Sequence, residues 1–482
     1  MAPREWTNPR TGDTHTLDLV DTTAQEVADA ATASRRAWGT YGRVTHATRA
    51  SVLTTIADAL DARVDDVVAI ADEESALGTP RLIGEVARTS FQLRMFANAL
   101  IEGTLFVTEV DEPVEGAPPA GRPELVRNYV PLGPVAVFGA SNFPFAFGVL
   151  GGDTASALAA GCTVVVKEHS AHPRLSRLLV DITRDALAAA GFDKDLLIGI
   201  RGTAAGATLV AEPDITAVGF TGSVAGGRFL FDIAVSRPHP IPFYGELGSI
   251  NPVIVTRAAA AARAEEIGKG FAESLLLGAG QFCTKPSMLI YPEGSGVIDA
   301  ALATLSEAGP MPLLTTKISD AYNAQVERVV ASGAKNLVEA KPVVADGSWV
   351  MPAIFPGLVS DVVSGDSPLR EECFGPAAVV IAYTTDEEAA EVAASGEGVL
   401  VGCIHAESDD PQAQNIVDGL ASRAGRVVWN GWPTGVSVAP AQMHGGPYPA
   451  ATVPGTTSVG LHAAERFVRP VVFQSVPEHL RT

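Results

Sequence analysis

The chain has 482 residues, 47% hydrophobic and 18% charged, which is too long for one compact core and predicts two or three soluble domains. Lys plus Arg number 34 and Asp plus Glu 55, a net charge of −21 that excludes nucleic acid or an anionic membrane as the main partner. Cys162, Cys283, Cys373 and Cys403 lie far apart with no CxxC spacing, so neither a metal site nor a disulfide framework is indicated. The N-terminal Met-Ala-Pro-Arg-Glu-Trp shows no signal-peptide pattern, and no apolar run reaches the roughly 18 residues of a membrane span. The expectation is a cytoplasmic protein with free thiols.

Residues 23–102 read as helices. Leu53, Ile56, Ala57 and Leu60 share one face, and Arg81 to Leu100 continues the pattern through Val86, Leu93 and Phe96. Prolines and glycines then break residues 111–125 into a connector or extended arm. From Pro134 short apolar strands alternate with helices. Val135–Phe138, Thr163–Lys167, Leu196–Ile200 and Ile215–Phe220 are strands, while 145–160, 175–190, 204–211 and 224–235 are helices. This alternation predicts a parallel, doubly wound, Rossmann-type α/β domain. A second α/β region runs from Asn251 to about Trp432. The segment 466–475 reads as a strand whose partner is either the arm near 113–132 or another subunit.

Six stretches carry candidate chemistry. Asn142 follows a buried strand, where its amide either faces a ligand at the carboxyl end of the sheet or caps a helix starting near Pro144. Lys167 ends a buried strand and either serves a ligand or reaches solvent. Phe220-Thr-Gly222-Ser223 leads from a strand into a helix whose N–H groups suit a phosphate, although an ordinary strand-to-helix turn reads the same way. Glu246 lies between glycines in an apolar stretch, where desolvation would raise its pKa toward that of a general base; pairing with an unseen cation is the other reading. Cys283 follows the helical run 267–277 and the turn glycines Gly278 and Gly280, a setting that suits a nucleophile and also a packed thiol. Near residue 372, Glu372 offers a carboxylate for ribose hydroxyls and Phe374 a flat surface for a ring.

In order along the chain, SNFP (141–144), VVVKE (164–168), FTGSVAGG (220–227), GELG (245–248), GQFCT (280–284) and EECFGP (371–376) resemble the aldehyde dehydrogenase superfamily. The resemblance covers residue 20 to the C-terminus. It implies that Cys283 attacks an aldehyde to give a thiohemiacetal and then a thioester. Asn142 and the Cys283 N–H would hold the oxyanion, and Glu246 would activate water. It also implies that Lys167, Ser170, Phe220, Gly222, Ser223, Glu372 and Phe374 bind the dinucleotide. The FYGELGSINP (243–252), NGWPTG (430–435) and HGGPYPA (444–450) stretches look like the 2-oxoglutarate semialdehyde (2,5-dioxopentanoate) dehydrogenases. A related branch that oxidises long-chain fatty aldehydes with NADP is the alternative. A non-catalytic protein on the same scaffold should have lost the thiol, the base or the oxyanion donor, and all three are present.

The chain departs from these relatives at Lys167-Glu168-His169, at Lys285-Pro286-Ser287, and at Pro454-Gly455, where an Arg is common. Arg94, Arg127 and Lys285 are then the candidates for a substrate carboxylate. Ser170 stands where NAD-preferring relatives often carry an acid, which points to NADP with NAD possible; Glu168 would oppose this if it faced the ribose. The expected parts are a dinucleotide-binding domain (1–112 and 133–245), a catalytic domain (246–450) and an oligomerisation element (113–132 and 451–482). The whole is expected to form a homodimer or homotetramer.

Overall fold

A computed structural model describes residues 4–481 apart from 340, 342, 344, 345 and 364–366. Two parallel sheets organise it. The first runs Leu197–Ile200, Val164–Lys167, Val135–Phe138, Ala217–Thr221, Phe243–Glu246, with the order reversing on either side of Val135–Phe138. These strands are buried on both faces by helices, which is why they read as apolar runs rather than as alternating patterns. The second has six strands in the order Ala353–Gly357, Ala377–Tyr383, Pro286–Pro292, Asn251–Val255, Val399–His405, Ala424–Trp429, also all parallel. Its two faces carry separate apolar cores, one around Phe355, Ile381 and Tyr322 and one around Phe271, Leu275 and Val401.

The helices of the N-terminal hundred residues belong to the first sheet. Thr79–Glu102 packs its Leu82, Val86, Leu93 and Phe96 into the core that also holds Val135 and Val164. Strand Val468–Gln474 pairs antiparallel with Leu125–Pro131, which pairs on its other side with Glu109–Asp111. Of the two partners open to the tail strand, the arm of its own chain is therefore the one it uses.

Three expectations change. The helix expected from Phe145 begins only at Gly152. Residues 143–151 are instead held as turns, because the buried Glu85 carboxylate accepts the Phe145 and Ala146 N–H groups at 2.8 and 3.0 Å. The C-terminal boundary also moves. Residues 451–467 pack on the cofactor-side domain rather than join the three-stranded sheet: Ala451 bridges to Glu246, and Ala463, Ala464 and Phe467 enter the first core. Strand Ala353–Gly357 at the edge of the second sheet was not expected at all; Pro356 and Gly357 interrupt its sequence signal.

The segment 451–467 is fastened by a buried ion pair. Arg466, 3% exposed, donates to Asp153 at 2.7 Å on the helix Gly152–Ala160. Arg466→Ala would leave that carboxylate buried without a counter-charge, a loss of about 3–5 kcal/mol. The expected outcome is a lower urea midpoint. An unchanged midpoint would mean that the pair contributes nothing to holding the segment.

Candidate active site

Glu246 is the last residue of the edge strand Phe243–Glu246 of the cofactor-side sheet. Cys283 follows a left-handed turn, where Gly278, Ala279 and Gly280 all have positive φ. A Cβ on Gly280 would meet the Gly375 carbonyl oxygen at 2.3 Å, so this loop can close on residues 373–377 only with glycine there. Asn251 holds the loop from the other side. Its Nδ2 donates to the Cys283 and Lys285 carbonyls at 2.8 and 3.0 Å, and its Oδ1 accepts from Val401 N and Ser249 Oγ.

Three titratable groups converge. Glu246, Cys283 and His444 place one oxygen, sulfur or nitrogen atom each within 4.8 Å of one another. His444 Nε2 lies 3.0 Å from Glu246 Oε1 and 3.6 Å from Cys283 Sγ. Ser458 Oγ donates to Glu246 Oε2 at 2.8 Å. Burial pushes the Glu246 carboxyl up. His444, Ser458 and the Cys283 thiol together pull it further the other way, leaving it below its ordinary value. The expectation of a raised pKa is thus corrected: Glu246 is buried but supplied with donors, so it is held as a carboxylate. Cys283 moves in the opposite sense, well above the usual thiol range. Burial is the first cause, followed by the charge of Glu246 and the hydrogen bond the thiol makes to it. The resting state is a thiol beside an ionised acceptor.

Asn142 lies on the same loop cluster. It caps no helix; its Nδ2 donates to the Gln281 carbonyl at 2.9 Å, two residues from Cys283. Its own carbonyl accepts from Arg81 at 2.6 Å.

The dinucleotide candidates separate into two ends. Ser223 caps the helix Val224–Ser236, accepting from Gly226 N. Across a cleft of about 550 Å³ from Ser223, Val224 and Ala225 stand Gly248, Ser249 and Glu372. Gly222 and Gly248 leave room that side chains would fill: a Cβ would come within 2.9 Å of the Phe220 ring in the first case and 2.4 Å of Glu372 Oε2 in the second. Phe374 is half-buried beside Glu372. Glu372 is pushed up to about 7, first by burial. At the other end, burial and Arg4 bring Lys167 down to about 8. Ser170 is exposed. Glu168 is buried: its Oε1 lies beside Gly199 and pairs with Arg201 at 2.9 Å. An open helix N-terminus and a carboxyl group lining one cleft, with a lysine at the end of a strand of the same sheet, fit a dinucleotide.

The three cations proposed for a substrate carboxylate are engaged elsewhere. Lys285 Nζ donates to the carbonyls of Cys373, Gly375 and Ala377 at 2.6, 3.1 and 2.8 Å, which uses all its hydrogens. Arg94 pairs with Asp58 and Asp61 at the protein surface. Arg127 lies in the three-stranded sheet and pairs with Glu109. Sequence reasoning missed His444 and Ser458. His444 lay in a quoted stretch without a role, and its 161-residue separation from Cys283 left no local signal. Arg88 was also missed; it donates to the Val436 carbonyl at 2.6 Å, and Cys283 and Glu246 are near enough for their charges to act on it.

Comparison with known proteins agrees with this geometry. The model of the "Aldehyde dehydrogenase family" matches residues 3–447. The chain is 40% identical over 465 residues to alpha-ketoglutaric semialdehyde dehydrogenase 2 of Azospirillum brasilense, covering 94% of this chain and 88% of that protein. It is 38% identical over 462 residues to the alpha-ketoglutaric semialdehyde dehydrogenase of Acinetobacter baylyi, covering 95% and 88%. Among solved structures, lactaldehyde dehydrogenase from Escherichia coli superposes with a TM-score of 0.84 at 21% identity, over 98% of this chain and 95% of that one, a likeness of fold. With the family model spanning most of the chain and the thiol, carboxylate and amide gathered at one place, the chain belongs to the aldehyde dehydrogenase family.

Proposed function

We propose that the protein oxidises 2,5-dioxopentanoate to 2-oxoglutarate with a nicotinamide dinucleotide, NADP in preference to NAD. The observation that carries the reaction class is the Cys283 thiol gathered with the buried Glu246 carboxylate and His444, their reactive atoms within 4.8 Å of one another. The substrate rests on the two relatives named for it, each matched over more than nine-tenths of this chain.

Chemistry follows from the proton positions. The thiol gives its proton to the Glu246–His444 pair as sulfur attacks the aldehyde carbon. The Asn142 amide and the Cys283 N–H stabilise the resulting oxyanion. A bound dinucleotide supplies the hydride acceptor. Cys283 then carries the acyl group as a thioester; once the first proton has passed to solvent, Glu246 takes a proton from the water that attacks the thioester, and the Cys283 thiolate leaves as the acid is released. Ser223 would hold the pyrophosphate, Lys167 the adenosine ribose and Glu372 the nicotinamide ribose, with Phe374 beside the ring. Phe220 and Gly222 would shape the turn beneath the phosphates.

Position 170 supports NADP. Ser170 brings no charge against a 2′-phosphate, and Glu168 is neutralised by Arg201. Lys167 stands in the field of Arg4 and Lys317, both of which depress its pKa.

We also propose a homodimer or a tetramer of dimers. Among the described residues, Val468–Gln474 and Ala424–Trp429 each end a sheet with one edge unpaired. Val472 and Trp429 are 55% and 46% exposed on them. An open strand edge is a template for another chain. Light scattering should give two or four chain masses; a monomer at micromolar concentration would refute this.

Steady-state kinetics test the substrate and cofactor. Wild type should prefer 2,5-dioxopentanoate over dodecanal, and Ser170→Glu should shift the NADP/NAD ratio of kcat/KM toward NAD by roughly tenfold or more. Preference for dodecanal would reject the substrate assignment and leave the Cys283 chemistry intact.

The electrostatics give a second test. The charge of Glu246 raises the thiol pKa, so Glu246→Gln should lower it. Iodoacetamide should then alkylate Cys283 faster at pH 7–8 than in wild type, while aldehyde turnover falls by about 100-fold or more. Unchanged or slower alkylation in the variant would mean that the charge of Glu246 does not set the resting state of the thiol.

A further inference from the structure

Helix Thr79–Glu102 sends Arg81 and Arg88, two turns apart, toward the Cys283 loop. Neither is paired with a carboxylate among the described residues, although most arginines of this chain are. Their environments differ. Arg81 donates to the Asn142 carbonyl, has its Nη1 buried without a partner, and lies 4.9 Å from the ring centres of both Phe143 and Phe282. Arg88 makes one hydrogen bond, to the Val436 carbonyl, and its Nε is buried without a partner. Its guanidinium lies 5.8 Å from the Phe147 ring, whose centre is 6.0 Å from that of His444, which in turn touches Cys283.

Burying a cation without a counter-ion is costly, and such charges are normally paired. Glu85, one turn away on the same helix, acts on Arg88 through its charge but makes no hydrogen bond to it; its Oε1 accepts from the Phe145 and Ala146 N–H groups. Arg88 thus has no hydrogen-bonded carboxylate, keeps a buried Nε without a partner, and stands one aromatic side chain away from the His444–Cys283 contact.

We propose that Arg88 receives the carboxylate of the substrate, with Phe147 packing against its aliphatic middle while the aldehyde lies at Cys283. This rests on the reading of the substrate as a short aldehyde acid, and it assigns the charge recognition that Arg94, Arg127 and Lys285 cannot perform. A guanidinium suits this role because it stays charged and offers a fork to a carboxylate. A long alkyl aldehyde would instead leave the same cation buried and unpaired.

The test compares 2,5-dioxopentanoate with pentanal, which has the same chain length and no charge, in wild type, Arg88→Met and Arg88→Lys. In Arg88→Met the ratio of kcat/KM for the acid to that for pentanal should fall roughly 10- to 100-fold, chiefly through KM. Arg88→Lys should recover part of that ratio, and glutarate should inhibit wild type competitively and the Met variant far less. If Arg88→Met does not fold, glutarate inhibition of wild type and Arg88→Lys decides: no inhibition of either overturns the proposal. Equal losses on both substrates would overturn it too, leaving Arg88 as a support for Val436. A wild type that prefers pentanal refutes the substrate reading itself, whereas a wild type that prefers the acid beside a Met variant that still does so refutes only Arg88.

Discussion

A carboxylate kept ionised away from water is the constraint on which the rest of the site depends. Glu246 is 3% exposed, and burial alone would protonate it. His444 and Ser458 prevent this; His444 comes from the loop after the strand Ala424–Trp429, and Ser458 from the segment 451–467 that packs on the cofactor-side sheet. The same carboxylate then sets the state of Cys283, whose proton it accepts and whose pKa it raises. Base and nucleophile are thus one electrostatic unit: the charge of Glu246 acts on Cys283, and the thiol in turn donates toward Glu246.

Backbone geometry holds that unit in place. Asn251 grips the Cys283 loop through two carbonyls, and Lys285 ties the same loop to residues 373–377, next to the Glu372 end of the cofactor cleft. A lysine that looks like a substrate ligand in the sequence is therefore an internal brace. It joins the segment that reacts with the aldehyde to the segment that would hold the nicotinamide ribose. Glu85 works similarly, replacing a helix by the turns that carry Asn142 and Phe147 toward Cys283.

The legible parts were local. Apolar runs bounded by turns gave every strand but the edge strand Phe243–Glu246 of the first sheet and every strand but Ala353–Gly357 of the second to within a few residues, because strands buried on both faces need an uninterrupted apolar sequence. The motif turns were legible for a related reason. A residue that must sit at a strand end or before a helix is surrounded by the glycines and caps such turns require, as at Ser223 and Cys283. The edge strand Ala353–Gly357 was not legible, since a proline and a glycine are tolerated at a sheet edge and erase the pattern there.

What the sequence by itself determined is the reaction: a thiol, an acid and an amide, each at the end of a buried strand or in a glycine turn, within two α/β domains. Only the tertiary structure decided which charges meet. Glu246 and Ser458 are 212 residues apart, and Cys283 and His444 are 161 apart. The sign of a pKa shift depends on such partners, so a buried glutamate read as raised proves to be lowered. The same holds for cations. Arg88 and Arg94 lie on one helix and look alike in sequence, yet one is neutralised by two aspartates at the surface and the other stands unpaired beside the reactive cysteine. Side-chain electrostatics depend on distance in space, and the order of residues along the chain does not contain that distance.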